Sequence, residues 1–238
     1  TYKIFGIDVA VNTSTALFFL PMLVLIKNRD KVSLDKANRL YEIFIQEMIN
    51  LSFGQATDIA WHKGLVSHEV TEEEYLQMCV YKTGTLARMA AKMAAVLAGA
   101  DRDVVEKVGK FAESIGVAFQ IQDDILDLVG EEFAKGKGGL GMDITEGKRT
   151  LMVIHTLRNA SEEDRERLLS ILNMHTEDEK LRREAINIIK KYGSIEYAKE
   201  VASRLRRESW SEVDKIFPPS EAKEKLFVLA NYLIKRKI

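Results

Sequence analysis

One cysteine, three prolines and almost no net charge exclude several classes of protein at the outset. With Cys79 alone, no intrachain disulfide can form, and a reducing, cytoplasmic setting is expected. The 35 Lys and Arg against 36 Asp and Glu leave a formal net charge of -1. The basic excess of a nucleic-acid-binding surface is therefore missing, and no nucleic-acid partner is expected. No alternating β-branched run is long enough for a strand. No signal-peptide pattern is visible. The most apolar run, residues 15–26, is short for a bilayer and is interrupted by Pro21, so it reads as a buried helix rather than a transmembrane segment. The chain opens on Thr1 directly into an apolar pattern, and an N-terminally incomplete sequence is expected.

What is present is helical. Across 238 residues with 46% hydrophobic content, apolar residues recur three and four apart, which predicts an all-α fold, one helix bundle in one domain spanning residues 1–238. Ser33 precedes an acidic first turn and a long helix over 34–61. Thr71 with Glu74, and Thr176 with Glu179, have the spacing of capping boxes, and Asp101 is placed to cap a helix running through Asp127. Gly193 and the pair Pro218–Pro219 are stop signals before Ser194 and Ser220. The one long irregular stretch is 130–141, whose glycines and lysines suit a mobile loop that approaches a ligand closely.

The informative segment is 116–130, GVAFQIQDDILDLVG. Asp123 and Asp127 share a helix face, Asp124 lies beside it, and Gln120 is on the same face one turn earlier. No Lys or Arg occurs between Phe111 and Ala134, while Phe119, Ile121, Ile125, Leu126, Leu128 and Val129 are strongly apolar. Carboxylates buried without counter-ions cost several kcal/mol each. A hard divalent cation suits this oxygen-rich chemistry, and magnesium commonly bridges a few carboxylates to substrate phosphates. A solvated acidic stripe is the alternative reading of the same spacing.

Three lysines answer these carboxylates. Lys82-Thr83-Gly84 stands inside an Ala- and Met-rich helix, where the glycine predicts a kink that aims a cation inward. Lys137 lies in the glycine loop, and Lys148 ends the run 143–148, DITEGK. Singly, each is an ordinary surface lysine. Together with metal-binding carboxylates and glycine-rich backbone, they supply what a diphosphate site needs.

FQIQDDILDL, then GK, then DITEGKRT, preceded by KTG, resembles the second aspartate-rich motif and diphosphate-binding lysines of the trans-type prenyl diphosphate synthases. Gly54-Gln55 with Asp58 is similar to the family's GQxxD motif, and Ile4-Phe5-Gly6 with Ala10 resembles the segment after its first aspartate-rich motif. The resemblance covers residues 1–157 well and the C-terminal helices loosely. It implies the isoprenoid-synthase helix bundle with its N-terminal helices missing, a homodimer, and Mg2+ as cofactor. It also implies an isopentenyl diphosphate and an allylic prenyl diphosphate as substrates, and a product of fifteen to twenty carbons.

Residue by residue, the resemblance implies that Asp123, Asp124 and Asp127 bind metal. Lys82 and Lys148 would grip the diphosphate, Thr83 and Gln120 would donate to it, and Lys137 would close over it. Gln55 and Asp58 would line the site near the reacting carbon. The apolar helix over 16–26 would line the pocket for the growing chain, or serve as ordinary core. The region 43–59 is an interface candidate or core. Lys235-Arg236-Lys237 reads as ordinary helix-dipole chemistry, with closure over isopentenyl diphosphate as the alternative.

Two departures bear on activity. The family carries two aspartate-rich motifs, and only the second is present here. Truncation is the expected explanation, and a non-catalytic regulatory subunit that never had the first motif is the alternative. The interval from Lys137 to Asp143 is also longer than the family's, which leaves Lys135 as a substitute for Lys137.

Overall fold

The computed structural model describes residues 2–130 and 139–236. Every regular element among them is helical, as the periodicity predicts. The chain begins with α1 (Tyr2–Phe5), α2 (Ile7–Phe19) and α3 (Met22–Asn28), then a short 3-10 turn and the long α4 (Leu34–His62). α5 (Glu72–Cys79) runs through a π-helical turn (Val80–Gly84) into α6 (Thr85–Ala98), and α7 (Arg102–Val129) follows. From residue 139 onward come α8 (Met142–Thr145), α9 (Leu151–Asn159), α10 (Glu162–Asn173), α11 (Glu179–Lys191), α12 (Ser194–Val213) and α13 (Glu221–Lys235).

The helix starts follow local chemistry. Ser33 accepts from the Lys36 amide at the start of α4, and Asp101 accepts from the Val104 amide at the start of α7. Thr71 and Glu74 form a complete reciprocal capping box on α5. Thr176 does not cap a helix as its spacing predicts. It accepts instead from the Asp178 amide, and Asp178 caps α11 by accepting from Lys180. A carboxylate one residue before the first turn takes the position that the threonine would have held two residues earlier.

α7 is the axis. Ile121, Ile125 and Leu128 enter a core shared with Tyr75 and Cys79 of α5, Leu151 to Ile154 of α9, and Ile195, Ala198 and Val201 of α12. α6 packs along one flank of α7 and α12 along another, with α4 against α6 and the π-helical turn. This arrangement brings one face of α7 opposite α4 and the π turn, which is where the polar residues meet.

The N-terminal helices differ from expectation. Pro21 does separate α2 from α3, yet no residue of either helix is buried. Their contact with the described residues is confined largely to α4, and burial comes from partners rather than from hydrophobicity alone. The stretch Ile7–Lys31 is also longer than the apolar run read from the sequence. It spans 25 residues, and its most apolar 18-residue window has a mean hydropathy of 2.0, long and apolar enough to cross a membrane, a test that core helices and signal sequences also pass.

Candidate functional site

Two close helix crossings build the site. A Cβ on Gly54 of α4 would lie 2.3 Å from the Lys82 amide nitrogen and 2.6 Å from the Tyr81 carbonyl carbon. A Cβ on Gly116 of α7 would lie 2.9 Å from the Gly84 Cα. Only glycine lets α4, the π turn and α7 approach this closely. The sequence predicts a kink at Lys82-Thr83-Gly84, and a π-helical turn stands there, a form of helix frequent at functional sites.

The crossings assemble a first polar network. Lys82 Nζ donates to Asp58 Oδ2 at 2.6 Å, and Thr83 Oγ1 donates to Gln120 Oε1 at 2.8 Å. Gln120 Nε2 then donates to Asp124 Oδ1 at 2.8 Å, and the buried Tyr75 hydroxyl donates to Asp124 Oδ2 at 2.8 Å. Both Asp124 oxygens are therefore engaged by protein donors. Burial first, and then the Asp143 charge, push its carboxyl up to about 7, against the pull of the Gln120 and Tyr75 hydrogen bonds. In this arrangement Asp124 braces Gln120 from below, which differs from the open ligand position expected of it. The reason is rotational, since one residue along a helix turns the side chain away from the Asp123 face and toward α5.

A second network joins α7 to residues 141–148. Asp127 Oδ2 accepts from the Asp143 amide at 3.0 Å, and the Asp127 carbonyl accepts from the Gly141 amide at 2.8 Å. Lys148 Nζ pairs with Asp143 at 2.6 Å and with Glu146 at 2.9 Å. Burial works against the Lys148 ammonium, but the Asp143 carboxylate more than offsets it and holds its pKa well above the ordinary value. Lys137 and its substitute Lys135 lie outside the described residues.

A third network was not legible in the sequence. Asp123 Oδ1 forms an ion pair with the Arg236 guanidinium. Arg236 also sits 4.1 Å from the centre of the Phe119 ring, and its carbonyl accepts from Gln122 Nε2 at 2.9 Å. No spacing rule connects residues 114 apart.

The structure thus places Asp58, Lys82, Thr83, Gln120, Asp123, Asp124, Asp127 and Lys148 around one stretch of α7. Gln55 is exposed on α4, a turn before Asp58. Tyr75, Asp143 and Arg236 join them; Asp143 stood inside DITEGK and Arg236 inside the basic run Lys235-Arg236-Lys237, while Tyr75 stood in no motif singled out.

Among the described residues no three His, Cys, Asp or Glu side chains converge as a metal-holding group. The residues still suit magnesium, which takes one or two protein carboxylates and completes its shell with water and substrate phosphates. Asp123, paired with Arg236, and Asp127, one turn on, are the carboxylates that would supply them.

Among the described residues, an all-helical bundle with a carboxylate face on its central helix, flanked by Lys82 on a π turn and Lys148 after α8, is suited to a hard cation and a polyanion. The family model for polyprenyl synthetases matches residues 1–189, and the chain belongs to that family. It is 36% identical to the short chain isoprenyl diphosphate synthase of Methanothermobacter thermautotrophicus over 236 residues, covering 99% of this chain and 70% of the relative. The solved geranylgeranyl pyrophosphate synthetase from Pyrococcus horikoshii superposes with a TM-score of 0.86 at 33% identity, covering 99% of this chain and 69% of that one. A Caulobacter crescentus polyprenyl synthase, complexed with calcium and isoprenyl diphosphate, shares the fold, with a TM-score of 0.87 at 23% identity over 100% of this chain and 69% of its own. Across the curated relatives the chain spans from 48% to 70% of their length.

Proposed function

We propose that this chain carries the diphosphate-handling side of a trans-prenyltransferase, which condenses isopentenyl diphosphate with an allylic prenyl diphosphate to give a short-chain product of fifteen to twenty carbons. The observation that carries this reading is the meeting of Lys82-Thr83, Gln120, Asp123, Asp127 and Lys148 on one stretch of α7. In a reaction that begins by breaking an allylic carbon–oxygen bond, negative charge collects on the departing diphosphate. Lys82 and Lys148 are placed to exchange their carboxylate partners for diphosphate oxygens. Lys137, outside the described residues, would join them.

Asp123 and Asp127 would hold Mg2+, with Asp124 supporting them through Gln120. Magnesium bound there would neutralise charge on the leaving group. Thr83 and Gln120 present polar atoms beside the same oxygens, and Asp58 orients Lys82 until diphosphate binds. Gln55 and Asp58 would border the reacting carbon. No protein nucleophile is needed, because the isopentenyl double bond attacks the allylic cation and proton loss restores an alkene. A cytoplasmic homodimer belongs to this reading. Its support is the apolar face of α4, where Ile45, Ile49 and Phe53 remain exposed.

The test is a product assay on the gene's full product, with farnesyl and isopentenyl diphosphates, with and without magnesium, alongside Asp123→Asn. Magnesium-dependent elongation that falls by orders of magnitude in the variant is expected. Absent elongation with intact magnesium-dependent diphosphate binding would instead assign a non-catalytic regulatory subunit.

A further inference from the structure

We propose that Arg236 is the resident counter-ion of the metal face, holding the Asp123 carboxylate in the metal-free protein and yielding it when a divalent cation binds. The inference rests on the reading of Asp123 as a metal ligand.

Three contacts place Arg236 there, all on one face of α7. Its guanidinium pairs with Asp123, its plane covers the Phe119 ring at 4.1 Å, and its carbonyl accepts from Gln122 at 2.9 Å. Ile234, two residues earlier, is part of the main core, so the end of α13 is anchored where it delivers this side chain. The Asp123 side chain retains 25% exposure among apolar neighbours, and among the described residues Arg236 is the cation paired with it. A carboxylate in such a position needs a positive partner in every state of the protein. Without metal, Arg236 fills that need.

A metal cation and a guanidinium repel one another and cannot share the same carboxylate oxygen, so occupancy by one lowers the affinity for the other. The Phe119 ring and the Gln122 amide keep the displaced arginine close. The cost of exchanging the two cations is therefore paid in local rearrangement rather than in release of α13. Arg236 thereby sets the metal affinity of the site without itself being a ligand.

The experiment titrates the intact chain with Mn2+ and follows free ion by electron paramagnetic resonance, without substrate, for wild type, Arg236→Gln, Arg236→Lys and Asp123→Asn. Removing the competing charge should tighten Mn2+ binding by about fivefold or more. The lysine variant should fall between glutamine and wild type. Asp123→Asn should weaken binding whether or not Arg236 is present.

Unchanged or weaker binding in Arg236→Gln, with binding still lost in Asp123→Asn, would overturn the counter-ion role and leave the metal reading intact. Wild-type affinity in Asp123→Asn would remove Asp123 from the metal site and the counter-ion role with it. Gln122→Ala, which loosens the same segment without touching charge, gives a second route. It should tighten Mn2+ in the same direction, and no tightening there together with none in Arg236→Gln would also overturn the proposal.

Discussion

The Lys82 ammonium reaches the Asp58 carboxylate at 2.6 Å because Gly54, one turn earlier on α4, lets that helix touch the π-helical backbone carrying Lys82. A Cβ at Gly54 would meet the Lys82 amide nitrogen at 2.3 Å, so Gly54→Ala forces backbone rather than a flexible side chain to move. We expect a loss of about 1–3 kcal/mol. That corresponds to a fall of several degrees in the thermal midpoint, at about 2–4 °C per kcal/mol for a chain of this size. A calorimetric midpoint equal to wild type would show that the crossing is looser than described.

Lys148 is held by Asp143 and Glu146 in the free protein and is placed to turn toward a diphosphate. Lys148→Ala should weaken binding of inorganic pyrophosphate in the presence of magnesium by about tenfold or more, the scale of one hydrogen bond to a charged group. Isothermal titration reads this directly, and the helical circular dichroism should not change. Equal affinity in the variant would confine Lys148 to pairing with Asp143.

Tyr75 is buried and donates to Asp124. Burial, and then the Asp124 charge, push its phenol well above its ordinary value, so it serves as a donor throughout the neutral range. Tyr75→Phe removes that donor and leaves a buried carboxylate oxygen unpaired, at an expected cost of about 1–3 kcal/mol in urea unfolding. The same change made in an Asp124→Asn background should cost less, because the two side chains act as a pair. Additive losses would separate them.

The cap on α5 gives a pH dependence with a definite sign. The Thr71 amide donates to Glu74 at 2.8 Å and, with His68, lowers the Glu74 pKa below its ordinary value. A carboxylate depressed on folding contributes stability that is present above the unfolded value of about 4.5 and is lost as pH falls through the lower folded value. The Thr71 amide resonance should therefore titrate with a midpoint below about 4.5, and Glu74→Gln should abolish that titration. A midpoint at or above the unfolded value would mean that the capping box does not form in solution.

By itself the sequence determined what depends on residues within a turn or two of one another. The helical class, the caps at Ser33, Thr71 and Asp101, the shared face of Asp123 and Asp127, and the disturbance at Lys82-Thr83-Gly84 follow from helical period and local hydrogen bonding. The Thr176 cap failed only because a better acceptor stood two residues on. Tertiary structure alone decided which cation neutralises Asp123, which way Asp124 faces and which apolar helices are covered. Arg236 reaches Asp123 because α13 returns along α7, and Asp124 meets Tyr75 because α5 packs beneath it. α2 and α3, as apolar as any core helix, stay exposed because few described residues pack on them. Period and capping are short-range and written in neighbouring residues, whereas a partner for a charge or an apolar face is set by how distant helices cross.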